Sequence, residues 1–315
     1  MKILKFVFVA LALIAPLSGC ANNLNATVRV RVTDESGQPI HNVRSRLLSL
    51  SMYDAPSGLT DINGIFSIYL KNIHAEISGY FEKPGYYKTK GTFWSWGLGQ
   101  GLVPPADTIF PVVLKRIVEP IPMQQKKVDA VFPRLNEPVG FDMEIGDWVS
   151  PDGKGQTADI FMTAEGFYNS PKDVSMTMRA EFSGELNGIQ SFHVQSSEDA
   201  TQLLKSVLPV PPIAPETGYK NTFECFTRTL PTERYGTWSL DMTRRWIYRV
   251  RVEVDEDGKI VSANYGWLTS DFTFSSNKGT GKIAFTYYYN PNPQSRSLEP
   301  KEIADRQVKN LPGGD

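Results

Sequence analysis

The sequence predicts an all-β chain of two sandwiches, the first immunoglobulin-like and the second jelly-roll-like, behind a short apolar N-terminal segment. Three observations predict it. Apolar and polar residues alternate with period two: Val28, Val30 and Val32 against Arg29 and Arg31, then Val174, Met176, Met178, Ala180 and Phe182 against Ser175, Thr177, Arg179 and Glu181. That period puts one set of side chains on the core face of a strand. Between such runs stand Asn63-Gly64, Asp152-Gly153, Asn187-Gly188 and Asp257-Gly258, pairs that tolerate the positive φ of tight turns. Finally, Pro120, Pro122, Pro133 and Pro138 crowd residues 119–138, which predicts an extended connector between two bodies.

The N-terminus begins with Lys2 and Lys5 and continues as an apolar run from Phe6 to Ala15. This is the layout of a secretory signal peptide. The run is too short to span a bilayer and ends at Pro16. Leu17-Ser18-Gly19-Cys20 supplies an aliphatic residue, two small residues and a cysteine. This resembles the lipobox of bacterial lipoproteins. The resemblance implies that residues 1–19 are removed, that the Cys20 thiol takes a diacylglyceryl group, and that the new amine is acylated. Residues 20–25 would then form a tether. Each buried methylene contributes about 0.8 kcal/mol, so several acyl chains hold where one is marginal. Ala21 follows; in Gram-negative sorting, where Asp at that position retains a lipoprotein in the inner membrane, Ala implies the outer one. The expected location is the cell envelope, with the membrane as a partner through lipid on Cys20.

Residues 26–118 carry the first set of strand signals. Val28 to Val32 makes a half-buried strand, Ser36-Gly37 a turn, and Pro39-Ile40 a new extended start. Asn63-Gly64 turns the chain so that Phe66 and Ile68 point together into a core, and Pro111 to Leu114 closes the set. Three stretches stand out: Val32-Thr33-Asp34 through Gly37-Gln38-Pro39-Ile40, then Thr60-Asp61-Ile62-Asn63-Gly64-Ile65-Phe66, then Pro84-Gly85-Tyr86. In this order and spacing they resemble the carboxypeptidase regulatory-like, transthyretin-like β-sandwich. The resemblance implies a seven-stranded accessory sandwich without catalytic residues of its own. The long segment from Tyr86 to Asp107 departs from a compact version of that fold.

That segment holds the candidate ligand-binding residues Tyr86, Tyr87, Trp94 and Trp96, interleaved with Lys88 and Lys90 and followed by Gly97, Gly99 and Gly101. Rigid aromatics on a glycine-rich loop stack on sugar rings or anchor a protein partner. The alternative is that Trp94 and Trp96 fold back to cover an edge or pack on the second body.

Beyond the connector, the β pattern resumes over residues 139–300. Phe141, Met143 and Ile145 alternate with Asp142, Glu144 and Gly146; Trp246, Tyr248, Val250, Val252 and Val254 alternate with Ile247, Arg249, Arg251 and Glu253. Many short strands joined by turns predict a sandwich or jelly roll. Ser197 to Leu208 reads as a helix after a serine cap, and Leu298 to Val308 as a second short helix in a polar tail, residues 301–315. The stretches Ile121-Pro122-Met123, Gly146-Asp147-Trp148-Val149, Ala214-Pro215-Glu216-Thr217-Gly218-Tyr219 and Tyr288-Tyr289-Asn290-Pro291 are similar to an uncharacterised β-rich domain found after such sandwiches in exported bacterial proteins. That similarity implies no activity.

Charge and rare residues narrow the function. Without Lys2 and Lys5 the chain holds 31 basic and 34 acidic residues, too balanced to attract nucleic acid. With Cys20 committed to lipid, Cys225 has no intramolecular disulfide partner; in Thr222-Phe223-Glu224-Cys225-Phe226 it reads as a small buried hydrophobe. His41, His74 and His193 are not at metal-ligand spacing, so no cofactor or metal is expected. Spacing alone leaves a serine–histidine–aspartate arrangement around His193 open, although no nucleophile elbow occurs. Asp142 and Glu144 share one strand face beside Asp147, the residue types of a glycosidase pair, yet acids on an outer face are usually solvated. The expected function is a lipid-anchored, non-enzymatic binding or scaffold module that takes a glycan or an envelope protein. Two alternatives stand: a carbohydrate-binding lipoprotein using Tyr86 to Trp96, and a glycosidase-like enzyme in the second body.

Overall fold

A computed structural model describes residues 24–49, 56–73, 77–94, 109–193, 203–277 and 279–309. Cys20, the N-terminal segment, His74 and Trp96 lie outside them. The fold is all-β and multi-sheet, as the alternation predicts.

The first sandwich is built from β1 (Leu24–Thr33), β2 (Arg44–Ser49), β3 (Ser57–Leu59), β4 (Ile65–Ile73), β5 (Ile77–Glu82), β6 (Thr89–Trp94) and β7 (Ile109–Val113). β1 lies between antiparallel β4 and parallel β7. β2, β3, β5 and β6 make the facing sheet. Val28, Val30 and Val32 are buried between the sheets with Leu47, Phe81, Phe93 and Phe110. The turn before β4 is held by Asp61, whose Oδ1 accepts from the backbone N–H of Asn63 at 2.9 Å and of Ile65 at 2.8 Å. Gly64 sits at φ 72°. A Cβ there would lie 2.3 Å from the Val32 carbonyl, so both the conformation and the close approach require glycine.

The second sandwich begins earlier than expected. Within the segment read as a connector, β8 (Gln124–Val131) pairs along its whole length with the last of the described strands, β20 (Thr280–Tyr289). One sheet then orders β10 (Asp147–Trp148), β9 (Val139–Asp142), β11 (Ile160–Ser170), β12 (Asp173–Phe182), β15 (Thr222–Thr229) and β16 (Thr237–Trp238). The other orders β13 (Gly188–His193), β17 (Arg244–Val254), β18 (Ile260–Leu268), β20 and β19 (Thr273–Asn277), with β8 on the opposite edge of β20. The predicted face of β12, Val174 to Phe182, packs against Trp246, Tyr248, Val250, Ile283 and Phe285. Burying a side chain of this size contributes about 1.5–3 kcal/mol, and both sheets supply such residues in series.

Two expected helices resolve differently. Leu203–Ser206 is not helical but a strand, β14, paired with β6 at the edge of the first sandwich; residues 197–202 lie outside the described part. An unpaired β6 edge is a stronger demand for hydrogen bonds than the weak helical period of this segment. The tail does form a helix, α1 (Lys301–Lys309). It is not merely a polar tail, because Ala304 is buried and Ile303 packs beside it.

A third apolar layer joins the two sandwiches. The outer face of β17, β18 and β20 contributes Ile247, Tyr265, Trp267 and Tyr288. Leu208, Val210, Ala214, Leu298 and Ala304 cover it, and Tyr87 reaches it from the first sandwich. Arg249, expected on a solvated face, is therefore 5% exposed. Its guanidinium donates to the Leu186 and Glu216 carbonyls. The fully buried Glu299 accepts from the backbone N–H of Val118 at 3.0 Å and of Glu119 at 2.5 Å, pinning the start of the connector to the chain's last segment.

Candidate functional site

The sequence-predicted residues separate rather than converge. Tyr87 is fully buried in the joining layer and offers no face to a ligand. Tyr86 is half-buried, with the Arg116 guanidinium 5.6 Å from its ring centre and donating to its hydroxyl. Trp94 ends β6, but its side chain is outside the described part, as is all of Trp96. The described residues thus correct the aromatic-loop expectation for Tyr87 and bring no second aromatic of the set to a common surface.

The carboxylates of β9 are not solvated either. Asp142 is 1% exposed and Asp159 2%. Both converge on Arg251, which donates from Nη2 to Asp142 at 2.9 Å, from Nε to Asp159 at 2.9 Å, and from Nη1 to Glu144. Asp142 further accepts four backbone N–H groups, from Glu144, Ile145, Gln156 and Thr157. Burial pushes its pKa up, but these donors and Arg251 together hold it below the ordinary carboxylate value. Asp142 thereby ties the turn at Glu144 and Ile145 to the segment Gln156–Thr157 and to Arg251.

His193 is exposed at the end of β13. Its Nδ1 lies 3.2 Å from Thr243 Oγ1 and 3.5 Å from Asp241. Both neighbours meet the same ring nitrogen. A relay needs the nucleophile on one nitrogen and the acid on the other. Cys225 is buried as expected, and burial pushes its thiol up to about 12, which leaves it a poor nucleophile.

What the fold does assemble is a cleft of about 860 Å³ between the two sandwiches. Its floor is the outer face of the second sandwich: Phe192, Trp267 and Tyr288. The last two stack with ring centres 4.8 Å apart. One wall is the β14 segment, Leu204 to Pro211, and the other is the turn from Met242 to Arg245. Val113, Lys115 and Glu35 close it from the first sandwich. A mostly apolar concavity of this size with a few convergent polar groups is the usual form of a small-ligand site.

The polar groups are specific. Lys115 Nζ donates to the carbonyls of Leu208 at 3.1 Å and Val210 at 2.8 Å, tying the wall to the first sandwich. Burial lowers its pKa to about 8 despite Glu35. Burial likewise raises Glu35, against the pull of Lys115. Arg245 donates from Nη1 to the Met242 and Arg244 carbonyls, yet its buried Nε has no acceptor. Ser206 Oγ, also buried on the cleft wall, is unpaired too. None of these four residues was singled out by the sequence, because positions 35, 115, 206 and 245 meet only through long-range pairing; His193, which was, also lines the cleft.

The low value for Lys115 has a consequence for stability. An ammonium with a depressed folded pKa binds its proton less tightly in the native state than when unfolded, so stability rises with pH between about 8 and the ordinary lysine range. We expect the melting temperature of Lys115→Met to lack this alkaline gain over pH 7 to 9.5 relative to the unsubstituted chain. Parallel pH profiles of the two proteins would contradict it.

The sequence matches no family model and no curated protein. Among solved structures it is similar, with a TM-score of 0.24 and 13% identity, to 3-chlorocatechol 1,2-dioxygenase from Rhodococcus opacus, over 32% of this chain and 63% of that one. A Streptococcal ancillary pilin overlaps with a TM-score of 0.19 and 9% identity, over 82% of this chain and 58% of that one. The chain thus spans less than two thirds of either structure, and at these scores neither overlap bears on what it does.

Proposed function

We propose that this chain is a lipid-anchored, non-enzymatic binding module of the cell envelope, with the cleft between its sandwiches as the ligand seat. One observation carries the binding part. Only three buried side-chain polar atoms among the described residues lack a partner, and two of them, Ser206 Oγ and Arg245 Nε, belong to residues that line the same cleft. An unpaired buried donor costs about 1–3 kcal/mol, a cost that an incoming ligand removes. The anchoring part rests on the lipobox-like Leu17-Ser18-Gly19-Cys20.

The two parts are tested separately. Cys20→Ala is expected to move most of the protein from the membrane fraction to the soluble one, and mass spectrometry of the unsubstituted protein to show a diacylglyceryl-modified Cys20. Unchanged partition, or an unmodified thiol, would remove the anchor. For the seat, small molecules extracted from the envelope should raise the melting temperature of the unsubstituted chain by mass action. They should not raise that of Val207→Trp, which fills the cleft from an exposed wall position. Equal shifts in both proteins would place binding elsewhere.

A further inference from the structure

The cleft is unevenly charged. Lys115, Lys205 and Arg245 line it with one carboxylate, Glu35. Lys205 is exposed on β14 and has no partner among the described residues. Arg244 and Arg245 are neighbours with different fates. The Arg244 guanidinium is occupied by Asp271, at 2.6 Å from Nη2 and 3.1 Å from Nε. Arg245 has no carboxylate within ion-pair reach among the described residues; it donates only from Nη1, and only to backbone carbonyls. Its Nε and Nη2 edge is the side of a guanidinium that matches the two oxygens of a carboxylate or phosphate. Phe192, which pairs with Arg245 across β13 and β17, and the exposed Met242 line the same cleft.

We propose, building on the cleft as the ligand seat, that the ligand is a small anion with an apolar body, its carboxylate or phosphate group held by the Arg245 guanidinium, which donates within the described residues only from Nη1. The apolar body lies along Phe192, Leu204 and the Pro209–Pro211 wall. The exposed Lys205 adds long-range attraction. At about 860 Å³ the cleft lies within the range of pockets that take drug-sized ligands.

The test uses the full chain and three probes of one shape: naphthylacetate, naphthyl phosphate and the neutral naphthylethanol, titrated by calorimetry. At least one acid is expected to bind one to one, about tenfold or more tighter than the alcohol. The tighter acid identifies which anion the seat prefers. Arg245→Gln should reduce the acids to the level of the alcohol, and Arg245→Lys should restore only part of the difference, because a point charge lacks the fork. Val207→Trp should abolish binding of all three, with thermal melts confirming folded variants. The comparison of acid with alcohol on the unsubstituted chain stands even if a variant fails to fold. Acids and alcohol binding alike, and all blocked by Val207→Trp, would overturn the anion and leave the cleft as the seat. Binding indifferent to Val207→Trp, or no binding by any probe, would overturn both.

Discussion

Arg251→Met is expected to be among the most damaging single changes in the second sandwich, lowering stability by about 3–5 kcal/mol. Arg251 itself is only 24% exposed, and it faces Asp142 and Asp159, each with a side chain 2% exposed. Removing the guanidinium leaves two buried carboxylates without their cation. For a body of this size the loss corresponds to a melting temperature lower by about 10 °C. The pH dependence gives an internal check. In the native chain Asp142 is held below its ordinary pKa, so its contribution is present at neutral pH and fades as pH falls through the folded value. Burial holds Asp159 above its ordinary pKa even beside Arg251; without Arg251 it rises further, and Asp142 loses the pull of the guanidinium while keeping its backbone donors. The variant then gains relative to the parent as pH falls. Denaturation at pH 7 and pH 4 should show the gap narrowing. A gap of constant size would mean that the guanidinium acts through packing alone.

The same residue shows where sequence patterns stop. Strict alternation assigns Arg251 to the solvated face of β17, alongside Ile247 and Arg249. In the structure, pairing with β18 shifts register between Val250 and Glu253, and Arg251 takes φ 56°. A bulge reverses which side a strand residue faces, and no periodicity reports a bulge in advance. The strands themselves were legible wherever one face is buried and the other wet, as in β1 and β12. They were illegible where that asymmetry fails. β8 buries chiefly Val128, so its lysines and the prolines flanking it outweighed its pattern. β14 is a short edge strand whose partner β6 lies more than a hundred residues away in sequence. Ile247 and Arg249 are covered by segments far along the chain. The cleft belongs to this last kind, since its floor, walls and cap come from stretches scattered between Glu35 and Ile303.

Asp271 is a second buried group on which stability depends, and it also bears on the cleft. Its carboxylate, 1% exposed, accepts from Trp246 Nε1 at 2.5 Å, from Arg244, from the backbone N–H of Asp241 at 2.8 Å, and from its own neighbour Phe272 at 2.9 Å. Arg244 in turn donates to the Ser239 carbonyl at 2.6 Å and lies over the Trp246 ring. One buried acid therefore fixes both ends of the turn that carries Met242, Thr243 and Arg245 into the cleft. Asp271→Ala strands a partly buried guanidinium and an indole N–H, and should cost about 3–5 kcal/mol. Asp271→Asn keeps the shape and one acceptor but lacks the charge, and should recover part of that loss. The informative measurement on the asparagine variant is hydrogen exchange. Amide protection at Asp241 should fall while that in β12 holds, because the local tie is cut and the core is not. If the turn positions Arg245, affinity for an apolar anion should fall in this variant even though Asp271 touches no ligand, and affinity for the neutral analogue should not. Equal losses for both probes would show that Asp271 supports the walls of the cleft rather than the placement of its cation.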